Sequence, residues 1–119
     1  MSVDTFTLNA ERKVGYAILR TDGYVNNLGG EKIAEQANQL IDEGFRYLIL
    51  NLEKSQVVNS IGISILIEVI ERMVEEEGGK IGFCHLTKTI AKTFQIMGLT
   101  QYAQIFDNEA EAERAAHEQ

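Results

Sequence analysis

The run Tyr47-Leu48-Ile49-Leu50-Asn51-Leu52 constrains this chain more than any other stretch. A segment with one polar member cannot alternate between a wet face and a dry one. So short and so apolar a run suits a strand buried on both sides, at the centre of a sheet with helices over each face. Its flanks agree. Upstream, Ile33, Ala37, Leu40 and Ile41, backed by Ala34, recur at helical spacing after Gly29-Gly30. Gly44 stands just past the last turn, where a residue tolerant of left-handed backbone closes a helix. Downstream, polar Glu53 to Gln56 lead through Val57-Val58 to Asn59-Ser60. Ile61, Ile65, Leu66, Val69, Ile70, Met73 and Val74 then give a second helix a broad apolar face, which ends at Glu75-Glu76-Glu77-Gly78-Gly79.

The remaining segments complete an alternation. Phe6, Leu8 and Ala10 alternate with polar residues, and after Glu11-Arg12-Lys13 so do Val14, Tyr16 and Ile18, which predicts an antiparallel hairpin with one buried face. Asp22-Gly23 marks a turn. Lys80 to Leu86 reads as a further strand. Thr87 can cap a third helix with Ile90, Phe94 and Met97 on one stripe, stopped by Gly98. Ile105-Phe106 is a short last strand, and Asn108 can cap a final polar helix from Glu109 to about His117, with mostly alanine to bury. The order is β-β-α-β-α-β-α-β-α. It predicts an α/β fold: a mixed, mainly parallel sheet of about five strands with about four helices, the hairpin adding an antiparallel edge. With no proline, linker or internal repeat, residues 1–119 are expected to form a single domain.

Charge and composition exclude several functions. The net charge of −7 repels phosphate backbones and anionic lipid, so neither nucleic acid nor a membrane is expected as a partner. No apolar run approaches the ~20 residues that span a bilayer. Met1-Ser2-Val3-Asp4 lacks the basic start and apolar stretch of a secretory signal. Cys84 is the only cysteine, so no internal disulfide forms and a reducing, cytoplasmic setting is expected.

Catalytic chemistry finds little to work with. His85 and His117 are the only histidines, and His117 falls in a tail expected to fray. Cys84 and His85 are strand neighbours and so point to opposite faces, which denies the thiol its base. Cys84 is expected as a small core residue and His85 as a surface or strand-end residue. Glu75-Glu76-Glu77 radiate around a helix instead of converging on a metal. Gly29-Gly30 and Gly78-Gly79 lack the Lys-Ser/Thr of a phosphate-binding loop. No catalytic residue, metal or cofactor is expected, and the chain does not read as an enzyme.

Three short motifs in order carry a resemblance. Leu50-Asn51-Leu52-Glu53, then Asn59-Ser60-Ile61-Gly62-Ile63 at a helix start, then Ile90-Ala91-Lys92-Thr93-Phe94-Gln95-Ile96-Met97-Gly98-Leu99 resemble the signature of the bacterial anti-sigma-factor antagonists, which have the STAS fold. The resemblance implies a single STAS-like domain that binds a partner protein in a partner-switching pathway regulating transcription. It implies Ser60 as phosphoacceptor, an anti-sigma factor of the serine-kinase type as partner, and a metal-dependent PP2C-type phosphatase that restores the hydroxyl. The contact surface would surround Asn26, Asn59, Ser60, Ile61, Gly62 and Ser64.

Three positions depart from the pattern. The acidic residue that precedes the serine in the family is Asn59 here, and a second acidic residue after the early turn corresponds to Asn26. Both amides remove negative charge near the hydroxyl while keeping the capacity to cap a helix. Ser64 stands where the family has a second glycine. Two alternatives stay open: Ser60 or Asn59 as a plain helix cap, and a STAS module acting without phosphorylation, as a scaffold or small-ligand sensor. Self-association into a homodimer also stays open.

Overall fold

The apolar run forms β3 (Tyr47–Lys54), the middle strand of a five-stranded sheet in a computed structural model that describes residues 5–118. Residues 1–4, on which the expectation about a secretory signal rests, and residue 119 lie outside the described residues. β2 (Ala17–Asp22) and β4 (Lys80–Cys84) flank β3 in parallel. β5 (Ala103–Phe106) pairs in parallel with β4, and β1 (Thr7–Arg12) closes the other edge antiparallel to β2. The pleat sends Leu48, Leu50 and Leu52 into the larger core, beneath α1 (Asn27–Asp42), α2 (Ser60–Ile70) and α3 (Lys88–Ile96). It sends Tyr47 and Ile49 to the opposite face, beneath α4 (Glu109–His117). The predicted α/β order holds from end to end. α2 continues as a π-helical stretch, Glu71–Glu76, and a 3₁₀ turn, Leu99–Gln101, joins α3 to β5.

Several local expectations are corrected. The hairpin is not buried on one face only: β2 is covered on both, with Ala17 and Leu19 in the larger core and Tyr16 and Ile18 under α4. The reason is α4, which packs over the face turned away from the larger core. Val14 is 99% exposed in the hairpin turn, closed by the Lys13 N–H donating to the Tyr16 carbonyl at 2.8 Å. α1 starts at Asn27, ahead of Gly29-Gly30. Ile61 is 53% exposed, because on the helical wheel it lies opposite Leu66, Ile70 and Met73, and Ile63 is buried in its stead. Met97 also leaves its stripe: α3 ends at Ile96, and Gly98, with φ of 75°, swings the chain away. β4 stops at Cys84 instead of Leu86, and His85 adopts a left-handed φ of 59°.

The final helix docks through polar groups as much as apolar ones. It buries Ala112 and Ala116 over Tyr16, Ile18, Tyr47, Ile49 and Cys84. Arg20 donates to both oxygens of Glu109, at 3.0 and 2.6 Å, and the Asn51 side-chain amide donates to the same carboxylate at 2.6 Å. The Arg20 hydrogen bond, more than any other cause, holds the Glu109 carboxyl below its usual range. The Glu109 N–H donates to His85 Nε2 at 3.3 Å. His117 does not sit in a loose tail. Its ring meets Tyr16 edge-on at 5.3 Å, with its Nε2 3.2 Å from the Tyr16 hydroxyl.

Candidate functional site

β2 and β3 are adjacent and parallel, so their C-terminal ends open onto one edge and the helices that follow start side by side. Each helix is capped by an asparagine. Asn26 Oδ1 accepts from the Gly29 N–H at 3.0 Å, and Asn59 Oδ1 accepts from the Gly62 N–H at 2.8 Å. The two loops are laced together. Val25 N–H donates to the Val57 carbonyl at 3.0 Å, Asn59 N–H donates to the Val25 carbonyl at 3.1 Å, and Gly23 N–H donates to the Lys54 carbonyl at 2.9 Å. Val25 and Val58 form a parallel bridge between the loops. Gly62 makes this closeness possible: a β-carbon there would lie 2.2 Å from the Val25 carbonyl oxygen.

Ser60 is the first residue of α2 and is exposed. Among the described residues its hydroxyl has no hydrogen-bond partner. It stands beside the unsatisfied N–H groups and positive dipole end of the helix, where added negative charge is tolerated. Ser64, one turn on and also exposed, donates its hydroxyl to the Ser60 carbonyl at 3.0 Å. Around the two caps Tyr24, Leu28, Val57 and Ile61 are exposed apolar side chains. Gly23, Tyr24, Gln56 and Val57 line an open groove of about 330 Å³ beside them. This corner offers an accessible hydroxyl amid apolar surface and two helix N-termini. Such a surface suits protein contact.

The six residues singled out in the sequence come together here. Asn26 and Asn59 are half-buried caps, Ser60, Ile61 and Ser64 face solvent, and Gly62 is buried beneath Val25. Sequence reasoning missed Tyr24, Leu28 and Val57, whose apolar character in loops and at a helix start is the one signal that could have marked them. Cys84 lies on the other face of the sheet, fully buried under α4, and burial pushes its thiol up to about 12. Among the described residues no group of three or more His, Cys, Asp or Glu could hold a metal ion, and no helix is long and apolar enough to cross a membrane.

Comparisons with known proteins converge on one family. The STAS domain model matches residues 7–112. The anti-sigma F factor antagonist of Paenibacillus polymyxa is 21% identical over 106 residues, covering 88% of this chain and 90% of that protein. A crystal structure of an anti-sigma factor antagonist from Mycobacterium paratuberculosis superposes with a TM-score of 0.82 at 16% identity, covering 96% of each chain. The Bacillus cell fate determinant SpoIIAA in its phosphorylated form superposes with a TM-score of 0.72 at 20% identity, covering 92% of this chain and 99% of that one.

Proposed function

The chain belongs to the STAS domain family, and from that premise we propose that it is an anti-sigma-factor antagonist, a binding protein switched by phosphorylation of Ser60. Its partner is an anti-sigma factor of the serine-kinase type, docked over Asn26, Asn59, Ser60, Ile61, Gly62 and Ser64. The unmodified chain holds that factor and so frees a sigma factor. In the same complex the Ser60 oxygen attacks the γ-phosphorus of ATP, ADP leaves, and the hydroxyl proton passes to a base of the kinase. A PP2C-type phosphatase later hydrolyses the ester with water and releases phosphate. This chain is the substrate in both steps and catalyses neither.

One observation carries the reading: Ser60 is exposed at the first position of α2, where the two laced loops and helix starts also expose the apolar side chains of Tyr24, Leu28, Val57 and Ile61. A phosphate there brings about −1.5 to −2 charges and a hydration shell into a surface that a partner must dry. A few kcal/mol lost in this way weakens a complex a hundredfold or more, since each ~1.4 kcal/mol is tenfold. Asn26 and Asn59 keep both helix caps in place beside Ser60 without a carboxylate, and this departure from the family's acidic residues is what favours the constitutive alternative.

The test is binding to the cognate kinase-type anti-sigma factor, with mass spectrometry after incubation with ATP. Ser60→Asp is expected to lose binding, Ser60→Ala to keep it, and the parent chain alone to gain one phosphate at residue 60. If both variants bind like the parent and no phosphate forms, the switch is refuted. The constitutive scaffold or ligand-sensing alternative then takes its place.

A further inference from the structure

The opposite end of α2 carries a different surface. Where α2 runs into its π-helical continuation, Ile67, Ile70, Leu99 and Tyr102 enclose an apolar hollow of about 140 Å³, with Glu71 and Glu75 on its rim. An apolar cavity of about 150 Å³ accepts a benzene-sized guest, so this hollow is sized for one aliphatic or aromatic side chain. Tyr102, which lines it, is about half exposed, and Ile96 and Met97, 75% and about half exposed, stand a few residues earlier in the same stretch of chain. Large apolar side chains clustered in this way mark contact surfaces.

The rim decides what the hollow can receive. Glu71 and Glu75 are exposed, and neither meets a cation among the described residues. Their neighbours are already occupied: Arg46 pairs with Glu77 at 3.1 Å and Arg72 with Asp42 at 2.7 Å. The backbone beneath them is π-helical over Glu71–Glu76, a rare geometry frequent at functional sites. A second copy of this chain is a poor occupant, because its net charge of −7 meets the same sign on the rim.

We propose that this hollow docks a basic amphipathic segment of a partner protein. One apolar anchor enters among Ile67, Ile70, Leu99 and Tyr102, and flanking Lys or Arg side chains meet Glu71 and Glu75. The contact is independent of the Ser60 switch. Ten residues of helix at 1.5 Å each set it about 15 Å from Ser60, beyond the ~8–10 Å over which salt screens exposed charges.

The test is an NMR titration of the full chain with two synthetic helical peptides. One carries Leu and Phe anchors flanked by Lys and Arg; its twin has the same anchors flanked by Glu. The basic peptide is expected to shift the amides of Ile67, Ile70, Leu99 and Tyr102, and the acidic twin to leave them in place. The Glu71→Gln/Glu75→Gln double variant should bind the basic peptide about three- to tenfold more weakly, as exposed ion pairs allow. Tyr102→Ala should weaken it as well, and Ser60→Asp should not. The proposal is overturned if no shift appears, if the shifts fall elsewhere, or if the acidic twin shifts the same amides equally. It is also overturned if those amides move with protein concentration alone, which would make a second copy the occupant.

Discussion

Replacing Gly62 with alanine tests the joint between the two helix caps. The added β-carbon would lie 2.2 Å from the Val25 carbonyl oxygen and 3.0 Å from the carbonyl carbon, and backbone cannot rotate aside as a side chain can. α2 must therefore draw away from Val25. Two loop hydrogen bonds fail with that movement, Asn59 N–H to Val25 and Val25 N–H to Val57, along with the Asn59 cap on residue 62. Each is worth about 1 kcal/mol. Alanine returns about 1 kcal/mol in helix propensity, so the expected net loss is about 2 kcal/mol. At about 2.1 cal/mol/K of unfolding entropy per residue, a chain of 119 residues then melts about 8 °C lower. Gly30→Ala is the control. Its β-carbon would meet Ile65 Cδ1 at 2.8 Å, which rotation of that half-buried side chain can move aside, and Ile65 Cβ at 3.2 Å, where a shift of a few tenths of an ångström suffices, so the cost should stay within about 1 kcal/mol. Thermal melts followed by circular dichroism, checked by urea titrations with unchanged slope, measure both. If Gly62→Ala melts within about 2 °C of the parent, or Gly30→Ala falls as far, the backbone contact does not hold the caps together.

The docking of α4 makes two more expectations measurable. Glu109 has its folded pKa depressed by Arg20, so its stabilisation is present above the ordinary carboxylate value and is lost as pH falls through the lowered one. Urea titrations should find Glu109→Gln less stable than the parent at neutral pH, with the gap closing in acid; a gap independent of pH would refute the clamp. Cys84, buried under Ala112 and Ala116 with its thiol pushed up to about 12, should react with a thiol reagent at least about a hundredfold more slowly than in urea, and a native rate near the unfolded one would show that α4 does not cover it.

Much of the fold was legible because its signals are local. Thr87 and Asn108 cap α3 and α4 at the positions read from sequence, with the Ile90 N–H on Thr87 Oγ1 at 3.1 Å and the Glu111 N–H on Asn108 Oδ1 at 2.9 Å. The Tyr47–Leu52 run lies buried in the central strand, as so apolar a segment must. Gly44 and Gly98 take positive φ where helices end. Each of these is settled within a turn or two of chain, by hydrogen bonds and dihedral preferences that neighbouring residues control.

Exposure was not legible in the same way. Val14, Ile61 and Met97 have the residue types of a core and stand in solvent, while Asn51 and Ser55 are polar and buried. Which side of a segment stays dry depends on what covers it, and here the covering elements come from distant parts of the chain: α4 over Tyr16, and Val25 over Gly62. The pairing of Asn26 with Asn59 has the same origin. Each amide could be read as a cap by itself. Only the parallel register of β2 against β3 brings the two helix starts together around Ser60, because strand pairing joins residues that no local preference connects.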